Sequence, residues 1–250
     1  MLTQERHDRI LDLLKIQNSV TVLELTELLD ASESTIRRDL VSLDRMGKLK
    51  KVHGGATAIH ETGSIIEPDY TTKSVLNTEE KAAIGRAAAG FIQNTDFVFI
   101  DAGTTTAAMI DYIPENIKAT FVTNGIVHAK KLIQRGLKAY ILGGKIKHAT
   151  EAVVGGESVN NMKRYNFTKA FIGTNGIDLT VGFTTPDMEE ALIKREAVQR
   201  AFITYILADK SKFEKTSAVT FADLNRCCIV TDELKNNEFR EHTVIKEVIA

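Results

Sequence analysis

Along the first sixty residues the apolar positions recur in threes and fours, the spacing of short helices. Ile10, Leu11, Leu13 and Leu14 mark one amphipathic helix, with Thr3 placed to cap it. In the next string, SVTVLELTELLD, Thr21 and Glu24 stand three apart as a capping box. Leu25, Leu28 and Leu29 then form one apolar face. A third helix opens at Ser32, turns Ile36, Leu40 and Leu43 inward and stops at Gly47, a good left-handed C-terminal residue. Here the period changes to two. KLKKVHGGATAI alternates Leu49 and Val52 with lysines, turns at Gly54-Gly55 and returns through Ala56 to Ile59, which predicts a hairpin. Three short helices followed by a basic hairpin predict a winged helix-turn-helix over residues 1–58.

Residues 59–77 hold no sustained period and read as a linker, with Ile65-Ile66 as a short apolar patch that docks on the larger domain. Residues 78–250 form that second domain. Thr78 caps a helix whose inward positions are Ala82, Ile84, Ala88, Phe91 and Ile92. Apolar strands then alternate with helices: DFVFI, KATFVT, KAYIL, FTKAFIG, FITYILA and CCIVT, with helices at TTAAMIDYI, GIVHAKKLIQRG and Glu189 to Ala201. Buried strands in that order predict an α/β fold, a mostly parallel sheet covered on both faces. AVVGGESV (152–159) fits no single element.

Composition changes this picture in two places. The net charge of −1 hides a gradient: residues 33–58 carry six basic and three acidic side chains, while residues 1–32 carry three and six. The basic segment is the third helix and the wing. Ser32, Ser34, Thr35, Arg37 and Arg38 lie in the first turns of a helix of the kind that enters a major groove. There an arginine fork grips guanine and hydroxyls reach phosphate. Lys48, Lys50, Lys51 and His53, around Gly54 and Gly55, are placed to follow the phosphate backbone. The second point is an exclusion. The cysteines, Cys227 and Cys228, are adjacent, which rules out a disulfide framework and reads as buried thiols on a strand. With no apolar run of membrane-spanning length and no apolar leader, a reducing cytoplasm is expected.

The second domain's distinctive polar residues gather where strands end, the place where such sheets bind ligands. Asp101, Gly103, Thr104, Thr105 and Thr106 (DAGTTT) end one strand; Thr123, Asn124 and Gly125 end the next; Gly143, Gly144 and Lys145 the third. Asn175, Gly176 and Asp178 come after a fourth, and Lys210 after a later one, with Glu189 and Lys194 on the long helix. In this reading Asp101 points into the crevice to accept ligand hydroxyls and Gly103 lets the backbone approach. The threonines then offer hydroxyls and free N–H groups to an anion. Lysines 145, 194 and 210 supply countercharge. A phosphate-bearing small molecule suits such a rim; the Gly-x4-Gly-Lys-Ser/Thr spacing of a nucleotide P-loop is absent. No metal or other cofactor is expected.

The strings ERHDRILDLLK and ASESTIRRDLVSLDRMGKLKKVHGGA resemble the signature of the DeoR/GlpR-type bacterial repressors. DAGTTT, VTNG, LGG and GTNGID…GFTTPDMEEALIKR…LADKSKF extend the resemblance over nearly the whole chain. It implies that the helix bearing Thr35, Arg37 and Arg38 reads double-stranded operator DNA. It further implies an effector domain similar in fold to ribose-5-phosphate isomerase, sensing a phosphorylated sugar that releases the repressor. The loop wording is most similar to the fructose operon repressors, which implies fructose 1-phosphate. Operators read by this motif are two-fold or repeated, so a homodimer or homotetramer is expected. A second reading keeps the isomerase or deaminase chemistry and treats the DNA module as an appendage. It needs a cluster of acids beside a carbonyl, and at the position of the isomerase-type DGADE run this chain has Thr174-Asn175-Gly176-Ile177-Asp178, with most acids missing. A regulator rather than an enzyme is therefore expected.

Overall fold

A computed structural model describes residues 3–17, 19–57 and 69–248. The chain divides into two compact units, residues 1–62 and 63–250.

The first unit contains α1 (Thr3–Gln17), β1 (Ser19–Thr21), α2 (Val22–Leu29), α3 (Glu33–Arg45), β2 (Lys50–Val52) and β3 (Gly55–Thr57). Its core is Ile10, Leu14, Val20, Leu25, Leu29, Ile36, Leu40, Leu43 and Leu49, with Ala56 from the wing. The predicted capping box is present: Glu24 N–H donates to Thr21 Oγ1 at 3.2 Å and Thr21 N–H to Glu24 Oε2 at 2.7 Å. The Thr21 N–H and hydroxyl, both donating to Glu24 Oε2, hold the Glu24 carboxyl below the usual carboxylate range. Leu28 departs from expectation. It is 59% exposed, because Val22, Leu25 and Leu29 fill the core side of this two-turn helix. The wing also has a third strand that the hydrophobic pattern did not announce. SVT pairs with β3 in the order β1-β3-β2. Gly54 turns the hairpin at φ +84°, and Gly55 lies so close to β1 that a Cβ there would stand 2.1 Å from the Val20 carbonyl oxygen. The expected continuation to Ile59 and the Ile65-Ile66 patch lie outside the described residues.

The second unit opens with α4 (Tyr70–Ser74), a helical turn inside the segment read as linker. It continues with α5 (Thr78–Ala89), β4 (Phe97–Ile100), α6 (Thr104–Ile110), β5 (Thr120–Thr123), α7 (Ile126–Gln134) and β6 (Lys138–Ile141). A hairpin, β7 (Lys145–Lys147) and β8 (Ala152–Val154), and α8 (Gly156–Met162) resolve the unassigned AVVGGESV. Then come β9 (Phe167–Gly173), β10 (Gly176–Asp178), β11 (Gly182–Thr185), α9 (Met188–Arg200), β12 (Ala201–Leu207), β13 (Val219–Ala222), β14 (Cys228–Thr231), α10 (Phe239–His242) and β15 (Ile245–Glu247). The N-cap of α5 is Asn77, in a left-handed conformation with no side-chain cap bond, so Thr78 is the first helical residue rather than its cap. Cys227 precedes β14 and is buried, which pushes its thiol up to about 12; Cys228 is half-buried within the strand.

Seven strands form one sheet in the order β15-β14-β12-β9-β4-β5-β6, and every pairing is parallel. Alternate residues serve two cores. Val98 and Ile100 pack with Ile84, Met109, Ile110 and Leu132 on one face. Phe99 packs with Met162, Ala191, Ile193 and Ala197 on the other. From β4 the chain winds outward through β5 and β6, then returns to the other side of β4 through β9, β12, β14 and β15. The order reverses between β4 and β9, and the crevice at such a switch point is where doubly wound sheets hold ligands.

Candidate functional site

Two surfaces carry the chemistry, one in each unit. In the first, Ser32 caps α3: its hydroxyl accepts from Thr35 N–H at 3.3 Å and contacts the Ser34 and Thr35 hydroxyls at 3.1 and 2.9 Å. Ser34, Arg37 and Arg38 are exposed and Thr35 half-buried. Arg37 Nε lies 2.9 Å from Glu33 Oε1, a surface pair that a phosphate or guanine can displace at little cost, and Arg38 Nε donates to the Ser34 carbonyl at 3.2 Å. With Arg45 they border a shallow depression along α3. Lys48, Lys50, Lys51, His53 and Gly54 are exposed; Gly55 is buried against β1 and shapes the wing without reaching its surface. Beneath the reading face, Asp39 anchors α3 to α1. Arg6 Nε donates to it at 2.5 Å and Arg6 Nη2 at 3.2 Å, and His7 Nε2 lies 3.1 Å away.

In the second unit a crevice of about 190 Å³ opens at the switch point. Gly103, Thr104, Thr105, Asn175 and Lys194, all expected from the sequence, line it. So do Lys73, Lys81, Glu190, Asp209 and Lys212, which were not expected. Burial pushes the Lys81 ammonium below the ordinary lysine range, against the pull of Asp209. Burial alone would raise the Asp209 carboxyl, but the charge of Lys212 and hydrogen bonds from Ser211 and Asn77 outweigh it and hold it low. Asp209 Oδ2 is buried without a hydrogen-bond partner, and the residue is 1% exposed at the crevice wall. Glu190 accepts from Thr150 Oγ1 at 2.6 Å and from Lys147 Nζ at 3.1 Å.

Several expected residues stand behind the wall rather than on it. Asp101 does not open into the crevice: its carboxylate pairs with Lys194 and accepts Gly173 N–H at 3.1 Å. Thr106 is fully buried. It donates to the Asp101 carbonyl at 2.6 Å and meets His128 Nε2 at 3.0 Å. His128 was not anticipated. Its Nε2 also lies 3.0 Å from the Gly103 carbonyl, a contact that places the proton on Nε2. Burial pushes its pKa down to about 4, so it is the neutral ring that holds the DAGTTT loop. Asn124 accepts Ala102 N–H at 3.0 Å and Thr123 Oγ1 accepts Gly125 N–H at 3.0 Å, so this trio braces the loop from the next strand.

Others lie outside the crevice lining. Lys145 pairs with Glu189 at 2.9 Å, and Gly143 and Gly144 pack near Ser158. Asp178 accepts from Thr180 and Val181 N–H groups to close the β10–β11 turn, with Gly176 in β10. Lys210 points away, paired with Glu233 at 3.0 Å. The reason is local: Asp209 caps a short 3-10 turn, Lys210–Lys212, which sends alternate lysines to opposite sides. The signal for Lys212 was therefore present in ADKSK; Lys73 was hidden by its place in a segment with no period. Among the described residues no group of three metal-ligating side chains occurs, and no helix is long and apolar enough to cross a membrane.

A basic helix with a wing, on one chain with a doubly wound unit that carries a crevice lined by several charged side chains, defines a transcription regulator with its own sensor. Comparison with known proteins agrees. Residues 6–62 match the DeoR-like helix-turn-helix domain and residues 76–233 the DeoR C terminal sensor domain. The chain belongs to the DeoR family. It is 43% identical to the uncharacterized HTH-type transcriptional regulator FruR of Bacillus subtilis, over 99% of each chain. It is 33% identical to the regulator IolR of the same organism, covering 97% of this chain and 94% of that one. It is 35% identical to GlpR of Haloferax volcanii, covering 96% and 94%. These relatives are regulators, in agreement with a protein that is not an enzyme. Among solved structures, ribose 5-phosphate isomerase A of Methanocaldococcus jannaschii matches 56% of each chain at 15% identity and a TM-score of 0.42. The eIF2B delta subunit of Chaetomium thermophilum matches 58% of this chain and 52% of that one at 14% identity and a TM-score of 0.43.

Proposed function

We propose that this protein represses a sugar-utilisation operon in the cytoplasm, and that a phosphorylated sugar releases it by filling the crevice. The observation that carries the reading is the convergence of Lys73, Lys81, Lys194 and Lys212 on one small cavity, with Asp209 and Glu190 also lining it. Lysines and the amides of Thr104 and Thr105 suit a phosphate, each charge-assisted bond contributing about 1.5–3 kcal/mol. The carboxylates suit sugar hydroxyls, and Asp209 Oδ2 has an acceptor to offer. The cavity is smaller than the roughly 300–1,000 Å³ of drug-sized pockets, which favours a small metabolite. Fructose 1-phosphate is the first candidate, supported by the resemblance of the DAGTTT and GFTTPD loops to those of fructose operon repressors. Function as a homodimer or homotetramer follows from the two-fold operators such motifs read.

A thermal-shift panel tests this. Fructose 1-phosphate, fructose 6-phosphate, glycerol 3-phosphate and inorganic phosphate are added to the full chain. The true effector stabilises it by about 2.7 kcal/mol at a hundredfold excess over its Kd and lowers operator binding in a gel-shift assay. If no sugar phosphate raises the melting temperature above inorganic phosphate, the effector reading is wrong.

A further inference from the structure

One wall of the crevice does not come from the sheet. Tyr70, Lys73, Leu76 and Asn77 line it, contributed by α4 and the turn at its C-terminal end. Asp69 caps α4 by accepting Thr72 N–H at 2.7 Å. The helix rests on the body of the unit through Tyr70 N–H, which donates to the Ala149 carbonyl at 2.8 Å, and through Lys81 Nζ, which donates to the Lys73 carbonyl. The turn beyond it is thinly covered: Val75 is 71% and Leu76 53% exposed, and Asn77 takes φ 51° where the chain enters α5. α5, by contrast, packs its buried Ile84, Gly85 and Ala88 into the sheet core. Asn77 adds a side-chain hydrogen bond to Asp209. The packed body and this thinly covered segment thus face each other across the cavity, each bringing at least one lysine.

The same segment is, among the described residues, the part of the second unit nearest in sequence to the DNA reader. Residues 58–68 join Thr57, the last residue of β3, to Asp69. We propose that residues 69–77 act as a coupling strap. A phosphate held by Lys73 on the strap and by Lys81 and Lys212 on the body fixes α4 in one position, and that position sets how the tethered reader meets DNA. The idea rests on the crevice being the effector site and adds the route by which occupancy is felt. A ligand shifts an equilibrium only by its difference in affinity between the two states. One that bridges a movable wall and a fixed wall has such a difference, whereas one bound wholly by the body does not.

Coupling is reciprocal, so DNA must be felt at the strap even without a sugar. The first arm measures hydrogen exchange in the full chain, with and without a duplex that the protein itself has selected from a random pool. The peptide spanning 70–77 is expected to change its exchange rate by about twofold or more. Protection of α3 and the wing with 70–77 unchanged overturns the proposal. The second arm inserts three glycines between Pro68 and Asp69, touching no crevice or reader residue. The insertion protein is expected to bind the selected duplex as the unaltered chain does, and to show the same thermal shift with fructose 1-phosphate. The drop in duplex affinity caused by the sugar should shrink about tenfold. A drop of unaltered size overturns the strap. If no sugar phosphate shifts the melting temperature of the unaltered chain, the effector reading has failed, and the exchange arm still decides whether residues 69–77 are coupled to DNA.

Discussion

Lys194, which lines the crevice, and Asp101, which stands behind its wall, are 93 positions apart in the chain and form an ion pair. Both are nearly inaccessible, at 5% and 2% exposure. Asp101 also accepts Gly173 N–H, while Lys194 donates to the Gly173 carbonyl at 3.0 Å, so the ends of β4 and β9 are tied to α9 through two side chains. Removing the lysine strands a buried carboxylate. Lys194→Met is expected to cost about 3–5 kcal/mol, seen as a lower urea midpoint. Asp101→Asn keeps an acceptor for Gly173 and should cost less. A Lys194→Met protein as stable as the parent would show that the pair does not organise this end of the sheet.

Lys210 and Lys212 make a sharper test of the site, because sequence alone cannot choose between them. Lys212 lines the crevice, while Lys210 is turned toward Glu233 and Asp232. Lys212→Ala should weaken the sugar-phosphate response by about 1.5–3 kcal/mol, roughly ten- to a hundredfold in the concentration needed to release operator. Lys210→Ala should leave the dose–response curve where it was. The reverse pattern in a titration of operator release would mean that the wrong side of the 3-10 turn faces the ligand.

How far the sequence could be read depends on which forces are local. Periodicity located α1, α2 and α3 because Ile10, Leu25, Ile36 and Leu40 bury at helical spacing, and it located the parallel strands because runs such as FVFI are buried on both faces. The DAGTTT loop was legible as a strand end. What its side chains do was not: whether Asp101 faces a ligand or a lysine depends on Lys194, which arrives from a distant helix. β1 was missed because three residues, SVT, are too few to show a period, and α4 because a helix of five residues has no apolar face to repeat. His128 looked like any residue of VHAKKL until tertiary packing buried it against Thr106.

His128 gives the stability a pH dependence of definite sign. Its pKa falls from an ordinary 6.5 to about 4 on folding, so the unfolded chain binds the proton more readily between those values. Stability therefore rises with pH across that window and is lost on acidification, by about 3 kcal/mol in full. Chemical denaturation at a series of pH values checks this. In His128→Gln, which keeps a donor for the Gly103 carbonyl but does not titrate, the slope between pH 4 and 6.5 should flatten relative to the parent.

On the DNA side, Arg37 is exposed and paired with Glu33 on its own helix. If it reads a base, Arg37→Ala should weaken binding to the selected duplex by about 1–3 kcal/mol and relax discrimination at one position. If exposed Lys51 on the wing contacts phosphate, Lys51→Ala should weaken all sequences alike and lower the salt slope by about 1. Fluorescence anisotropy across salt concentrations separates the two. Neither change should alter the thermal shift caused by a sugar phosphate.

Asp39 sits on the reading helix but faces inward, where Arg6 and His7 from α1 converge on it. Burial alone would raise its carboxyl, and the bonds from Arg6 and His7 outweigh that and hold it below the usual range. The contribution is therefore full above the ordinary carboxylate pKa and fades as pH falls through the depressed one. The cluster also fixes α3 against α1, since Arg6 grips both carboxylate oxygens with a planar fork that lysine cannot reproduce. Arg6→Lys should retain the charge yet lose the two-point grip. The expected result is a modest loss of stability, about 1 kcal/mol, with a larger loss of sequence discrimination than of overall DNA affinity. If Arg6→Lys binds selected and random duplexes in the parent's ratio, the pair supports the fold of this unit without setting the pose of its reader.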